Sequence, residues 1–458
     1  MRVTYLGTVL VSLSLISALQ IQLDDRQSIR DAASETARGS LLWYAGDQPG
    51  RIPGSFPEKW WEGSVLFTSL ILYWYYTGDD QYNAITTQAM QWQAGDGDYL
   101  PSNYSSFLGN DDQFFWGAGA MTAAEVGFPE DKEGRSWLSL AQGVFNSQTE
   151  GWDFESCGGG LRWQLHPWGG GWTLKNSIST GGLFQLAARL ARYTANDTYA
   201  EWAQTAWDWS ISSPLVNSTT WNVADSTDTK DGCTTQGNNQ WSYNYGTYLV
   251  GAAYMYNYTE KPEWKNAVDG LLAKTLDQFF PKKYGGAIFS ESLCEPSGLC
   301  NNNEKLFKGI VSTWLTFVSL IVPDTYDLIF PKLQGSAQAA ALSCSGAGNN
   351  TCGVRWYTQE WDGTIGMEQQ ISATNILASV LVSEKRNPPL TSKTGGNSTS
   401  NPNAGDNSNA RDNNEPREIT TADRVGAGIL TALFIGLWGG IMAWMVMGGE
   451  DVTAQRHR

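Results

Sequence analysis

Histidine is nearly missing: the 458 residues contain two, and only His166 lies in the part of the chain that reads as folded. A Ser-His-Asp triad or a histidine-rich zinc site is therefore hard to assemble. No CxxC spacing provides a thiolate zinc site, and no phosphate-cradling P-loop is present, so no metal or other cofactor is expected. Basic charge is scarce too, with 30 Lys and Arg against 46 Asp and Glu and a formal net charge of -16. Nucleic-acid binding rests on Lys and Arg neutralising phosphates, so a nucleic-acid partner is excluded. What the chain has in excess is tryptophan, 22 in all. Indole faces stack on the C–H faces of sugar rings, which makes carbohydrate the first candidate ligand, with helix packing the ordinary alternative for any single Trp.

The ends of the chain are unlike its middle. "MRVTYLGTVLVSLSLISALQ" sets Arg2 before an apolar run and small residues, the pattern of a secretory signal peptide over 1–20. Export suits the even set of cysteines, Cys157, Cys233, Cys294, Cys300, Cys344 and Cys352. Local pairing joins Cys294 to Cys300 and Cys344 to Cys352, leaving Cys157 for Cys233, one scheme among the fifteen that six cysteines allow. Candidate glycosylation sequons stand at Asn103, Asn196, Asn217, Asn257, Asn349 and Asn397. From Pro388 the composition turns to Gly, Ser, Asn and Pro, too poor in apolar residues to offset chain entropy, so 388–424 is expected to be a disordered linker. Residues 425–447 are uncharged and long enough to cross a bilayer, and 448–458 form a polar tail. Two readings compete for this end, a GPI-attachment signal with its small residues at Ser408, Asn409 and Ala410, and a single-pass anchor. Both tether the domain 21–387 to a membrane on its outer side.

Internal repetition carries the architecture. "YYTGDDQYNAITTQAMQW", "RYTANDTYAEWAQTAWDW" and "NYTEKPEWKNAVDGLLAK" share an aromatic, a Thr, a polar turn and an aromatic opening a second periodic run. Degenerate copies occur at "EVGFPEDKEGRSWLSLAQ" and "LIVPDTYDLIFPKLQGSA". The run before each junction is apolar nearly all round, over 64–76, 111–126, 176–193, 240–256, 304–321 and 366–382, as buried helices are. The run after each is amphipathic, as outer helices are. With "DDRQSIRDAASETARGSLLWY" as the outer partner of the last inner helix, six hairpins close into an all-α (α/α)6 barrel. An open solenoid is the alternative, and it would normally show polar capping repeats at its ends.

Alternation makes the inner helices parallel, so their N-termini and unpaired N–H groups collect at one end. The loops leading there are rich in Trp, Asn and Gly, and they supply the candidate sugar contacts: Trp60, Trp61, Glu62, Trp168, Trp172, Asn176, Asn239, Gln240 and Tyr243, with Glu368 as a further acid. Helix capping is the plain reading of the polar members. In "GNDDQFFWGAGAM", Asp111 and Asp112 open the second inner helix behind Asn110, a good N-cap. Locally they read as an acidic first turn favoured by the helix dipole. Facing a polar, aromatic funnel, they also suit glycosidic cleavage, which needs one carboxyl to protonate the leaving oxygen and one to attack or to activate water.

The run "NDDQFFWGAGAMTAAE" within six helical hairpins, flanked by signal peptide, linker and apolar tail, resembles glycoside hydrolase family 76, the endo-1,6-α-mannanases, and most closely its fungal Dfg5/Dcw1 branch. The resemblance spans about residues 22–385. It implies a retaining mechanism with Asp111 as nucleophile and Asp112 as acid/base. It further implies a role in fungal cell-wall biogenesis, where the mannan core of GPI anchors is cut and the protein passed to wall glucan. GPI anchoring is the rule in that family, and the charged "EDVTAQRHR" end departs from it. A non-catalytic glycan-binding wall protein on the same scaffold is the alternative function.

Overall fold

The computed structural model describes residues 18–56, 60–104, 108–405 and 421–448. The inner helices are α2 (Trp60–Thr77), α4 (Asn110–Val126), α6 (Ser177–Thr194), α8 (Ser242–Thr259), α10 (Asn302–Ile321) and α12 (Met367–Ser379), the last continued by a tighter turn over Val380–Glu384. The outer helices are α1 (Arg26–Leu41), α3 (Asn83–Trp92), α5 (Trp137–Glu150), α7 (Asp197–Ser212), α9 (Pro262–Phe279) and α11 (Tyr326–Ser343). Each inner helix packs on the next, α12 packs on α2, and α1 backs α12. The ring is therefore closed, and the N-terminal helix completes it as the sequence pattern predicts.

The repeated threonines have a common job. Thr77, Thr194 and Thr259 end α2, α6 and α8, and each hydroxyl donates to the carbonyl four residues back, at Tyr73, Leu190 and Met255, over 2.6 to 2.7 Å. At two of them the same oxygen also accepts the N–H two residues on, from Asp79 and Lys261. One side chain thus satisfies a terminal carbonyl and starts the turn into the outer helix. Inner helices touch closely where a side chain is missing: a Cβ on Gly309 would lie 2.6 Å from the Ser372 Cα of α12. Across the end opposite the inner N-termini, Glu125 of α4 accepts from Arg189 of α6 (2.7 Å) and from the Tyr254 hydroxyl of α8 (3.1 Å), with the ion pair fully buried.

The disulfides Cys157–Cys233, Cys294–Cys300 and Cys344–Cys352 are those expected from local pairing. Two short antiparallel ladders tie loops together, β1 (Leu174–Asn176) with β2 (Ser226–Asp228), and β3 (Cys344–Gly346) with β4 (Thr351–Cys352). All six candidate sequon asparagines are exposed.

The linker boundary needs correction. Residues 388–405, expected to be disordered, run as a strap over the barrel's outer surface. Leu390 N–H donates to the Glu125 carbonyl (2.8 Å), Ser392 N–H to the Tyr193 carbonyl (3.0 Å), and Asn401 N–H to Gln142 Oε1 (2.7 Å). Asn146 Nδ2 donates to the Pro402 and Ala404 carbonyls. Hydrogen bonds to polar groups on α5, with Pro389 and Ala404 buried, do here what apolar content does elsewhere. The proposed signal segment up to residue 17, the remainder of the linker over 406–420, including Ser408, Asn409 and Ala410, and residues 449–458 lie outside the described residues. The second compact unit contains α13 (Thr421–Gly448), whose stretch Arg424–Met445 is long and apolar enough to cross a membrane.

Removing one partner of a buried ion pair leaves the other charge uncompensated, which costs about 3–5 kcal/mol. Glu125→Ala should lower stability by that order in thermal or chemical unfolding. A variant as stable as the parent would contradict the part given to this pair in joining α4, α6 and α8.

Candidate active site

Helix α4 begins one residue earlier than the pattern suggested. Its N-cap is Gly109, extended at φ -93° and ψ 162°, not Asn110. Asn110 is drawn away from capping because its N–H donates to the Trp163 carbonyl (2.8 Å) and its side-chain Nδ2 to the Arg162 carbonyl (2.9 Å). Gly109 is required by its surroundings: a Cβ there would lie 2.2 Å from Asp111 Oδ1 and 3.0 Å from the Trp163 carbonyl.

That geometry holds the acid pair. The Asp112 carboxylate accepts the Gly109 N–H (2.8 Å), and Asp111 Oδ1 accepts the Asp112 N–H (3.0 Å). Both side chains keep partial exposure. Loss of solvent pushes the Asp111 carboxyl well above the ordinary range, and the neighbouring Asp112 charge adds to it. Loss of solvent also raises Asp112, to about 6, with the Gly109 N–H working the other way. Two adjacent carboxyls of this kind titrate as one coupled unit, and their burial favours keeping a proton on the pair. A shared proton is what an acid and a nucleophile need when they work on one bond.

Tyr243 is drawn to the same centre. It stacks on Phe307 of α10 (3.8 Å, 8°), and its hydroxyl is held in the protonated form first by burial and then by the charges of Asp225, Asp111, Glu291 and Asp112. Asp225, just before β2, accepts Asn244 Nδ2 (3.0 Å), and burial raises its carboxyl. Asp225 and Asn244 were not singled out from the sequence. Asp225 sits in an irregular loop with no periodicity, and its only signal is position shortly before an inner helix.

The remaining candidates separate. Trp61 is partly exposed, its ring 4.8 Å from Phe115 and its Nε1 donating to Asn303 Oδ1 (3.2 Å). Trp168 is 47% exposed and stacked on His166. Trp172 is covered by the Arg162 guanidinium at 4.4 Å. Trp60 is corrected: only 4% exposed, it packs on Trp116 and Tyr104 and donates to Gln93 Oε1 (2.7 Å), so it belongs to the core and offers no face to a sugar. Asn176 is the N-cap of α6, accepting Ser179 N–H (3.2 Å), which is the plain reading. Gln240 accepts the Tyr245 hydroxyl, and Asn239 is exposed in the loop before α8. Glu62 and Glu368 are buried in the first turns of α2 and α12.

Further down the axis, beyond Phe115 and Trp314, a cavity of about 30 Å³ lined by Ser64, Thr68, Thr122 and Asn375 has room for a water or two and none for a sugar. The N-terminal end of the inner helices is therefore the side from which a ligand reaches the acids.

Comparison with known proteins bears on this site. The model of glycosyl hydrolase family 76 matches residues 28–393. A mannan endo-1,6-alpha-mannosidase DCW1 of Candida albicans is 40% identical over 442 residues, covering 95% of this chain and 97% of that protein. The crystal structure of Dfg5 from Chaetomium thermophilum in complex with glucosamine has a TM-score of 0.81 and 38% identity, covering 86% of this chain and 99% of that one. An inactive variant of an alpha-1,6-mannanase of Salegentibacter, in complex with alpha-1,6-mannotriose, shares the fold at a TM-score of 0.61 and 17% identity, covering 77% of this chain and 99% of that one.

Two outcomes follow from the geometry. Gly109→Ala should displace the Asp111 carboxylate and lower kcat about 10- to 100-fold with little change in Tm, since small misplacements of reacting groups cost rate of that order; unchanged kcat would contradict the contact. The second concerns pH. Both acids bind their proton more tightly folded than unfolded, where Asp titrates near ~3.9. Their ionisation therefore removes stability as pH rises from that value through their folded pKa values. Asp112→Asn should raise Tm at pH 7 and lose that advantage near pH 4, as thermal scans across pH would show. An equal effect at both pH values would contradict the raised carboxyl.

Proposed function

The chain belongs to glycosyl hydrolase family 76, and on that premise we propose that it is a retaining glycosidase or transglycosidase acting on α-1,6-linked mannose, with its chemistry on Asp111 and Asp112. The observation that carries this is the adjacent acid pair at the open end of a buried helix, both carboxyls raised by burial. One carboxyl protonates the departing glycosidic oxygen while the other attacks the anomeric carbon, giving a glycosyl ester. The first group, now a base, then activates the second acceptor. Water gives hydrolysis; a sugar hydroxyl gives transfer.

We assign attack to Asp111 and proton transfer to Asp112, as the family resemblance implies. Both carboxyls are raised by burial and titrate as a pair. The assignment requires the pair's proton to stand on Asp112 when the leaving oxygen, a hydrogen-bond acceptor, arrives beside it. Trp61, Trp168 and Tyr243 are the aromatic surfaces at this end that we place along the sugar chain, with Asp225, steadied by the buried Asn244, and Asn239 for its hydroxyls. The names of the relatives support mannan as substrate. The GPI-core glycan as donor and wall glucan as acceptor extend that reading. The apolar helix α13 supports a domain tethered to the membrane and working on its outer face, at the cell wall, after passage through the secretory pathway.

The test uses unbranched α-1,6-mannan and an activated 2-fluoro mannoside as trap. The parent should release oligosaccharides with retained anomeric configuration, and Asp111→Asn and Asp112→Asn should each lose about 10³-fold or more. A trapped adduct on Asp111 supports the role order, and one on Asp112 reverses it. Mannan binding without product, or inverted product, would overturn the retaining-enzyme reading.

A further inference from the structure

Helix α8 lacks a capping side chain of its own. Its N-cap is Trp241, which supplies no acceptor. The cap comes instead from the loop between α9 and α10, the one closed by Cys294–Cys300. Glu291, completely buried, accepts the Ser242 N–H through Oε1 (2.9 Å) and meets the Ser242 hydroxyl through Oε2 (2.5 Å). The Glu291 N–H in turn donates to Glu295 Oε1 (2.9 Å), and that oxygen pairs with Lys308 of α10 (2.8 Å), both partners being buried. Lys308 donates further to the Val354 carbonyl and lies 4.0 Å over the Trp356 ring. The cap is thus fixed to the neighbouring inner helix as well as to its own loop.

A buried carboxyl is a costly way to cap a helix when a Ser, Asp or Asn at position 241 would do the same locally. The residues that follow show what the arrangement holds in place. Tyr243 and Asn244 occupy the first turn of α8, the tyrosine stacked on Phe307 of α10 and the asparagine bonded to Asp225. Burial first, and then the surrounding carboxyls of Asp225, Asp111, Glu291 and Asp112, keep the Tyr243 hydroxyl in its protonated form. Trp241, the residue that could have been a polar cap, packs edge-on against Phe307 (5.9 Å).

We propose that Glu291 is a positioning residue for the reaction: through Ser242 it holds Tyr243 and Asn244 in register with the acid pair, so that the sugar beside the scissile bond is recognised by a turn clamped from the disulfide loop. This rests on the glycosidase reading of the site and adds a component outside the mouth. Burial pushes the Glu291 carboxyl up to about 8. Near neutral pH it therefore carries a proton, and glutamine can reproduce both bonds, accepting from the Ser242 N–H and donating to its hydroxyl.

The test compares Glu291→Ala, Glu291→Gln, Tyr243→Ala and the double variant Glu291→Ala with Tyr243→Ala in the full chain, assayed on α-1,6-mannan. Glu291→Ala should lower kcat/KM at least about 10-fold, mostly through KM, while Glu291→Gln stays within about 3-fold of the parent. The double variant should lose little more than Tyr243→Ala alone, because the two residues act as one unit. Losses that multiply, or a parent-like Glu291→Ala, would overturn the proposal. If Glu291→Ala does not fold, Ser242→Ala takes its place and should lower kcat/KM several-fold; parent-like kcat/KM there would overturn it equally. A second measurement needs no substrate: hydrogen exchange over 242–246 should speed at least about 10-fold in Glu291→Ala, or in Ser242→Ala if that variant is used, with the other inner helices unchanged. Unchanged exchange there would sink the positioning role even if the parent proved inactive on mannan, an outcome that would count against the glycosidase reading alone.

Discussion

Two carboxyls side by side at the start of a buried helix repel each other and lack full hydration, and the open end of this barrel is arranged around that difficulty. The N-terminus of α4 offers a partial positive charge and free N–H groups, one of which, from Gly109, goes to Asp112. A glycine at the cap leaves room for Asp111, and Asn110 is spent on anchoring the helix start to the 162–163 loop. What remains is relieved by a proton shared across the pair. In the reading proposed above, the discomfort of the acids is the source of their chemistry, because a group that keeps its proton near neutral pH can give it to a leaving oxygen.

Holding such a pair demands a stiff frame, and the closed ring provides one. Each inner helix is supported on both sides by another, and the lower ends of α2, α4, α6 and α8 are secured by a threonine or by the buried contact of Glu125 with Arg189 and Tyr254. At the upper end the helices leave their caps to the loops. Asn176 caps α6 from within β1, Gly109 caps α4 beside the 162–163 loop, and Glu291 reaches α8 from a loop two helices further on. Because the caps belong to the loops, the loops around the open end also set the direction of the helix ends. Lys175 of β1 shows the same economy, its buried ammonium holding Asp153 and the Ser156 carbonyl together beneath the long loop before α6. Burial works against ionisation of Asp153, yet the bonds from Ser156 and Lys175 prevail and bring its carboxyl down to about 2.

The ring, its closure by the N-terminal helix and the disulfides Cys294–Cys300 and Cys344–Cys352 were legible because they rest on periodicity and proximity along the chain, which a sequence displays directly; Cys157–Cys233, 76 residues apart, followed by elimination. Asp111 and Asp112 were legible for the same reason, standing where a polar loop meets an all-apolar helix. Trp60 misled because tryptophan in an aromatic loop next to a helix start suits a sugar platform and a core plug equally; only the neighbours Trp116 and Tyr104 decide. Asp225, Asn244 and Glu291 were missed because their importance comes from contacts across 19 to 49 residues of chain between them and their partners, within loops that have no repeat. The strap over 388–405 escaped notice through composition: segments of Gly, Ser and Asn are usually disordered, and this one is ordered by hydrogen bonds to Gln142 and Asn146.

The central claim is that Asp111 and Asp112 act as one titrating unit at the barrel's open end. Carbon-13 NMR of aspartate-labelled protein, with the two signals assigned from Asp111→Asn and Asp112→Asn, measures this most directly. The account predicts that at least one of the pair ionises near pH 6 or above and that replacing either residue shifts the titration of the other. Both carboxyls ionising independently near the ordinary value of ~3.9 would contradict it.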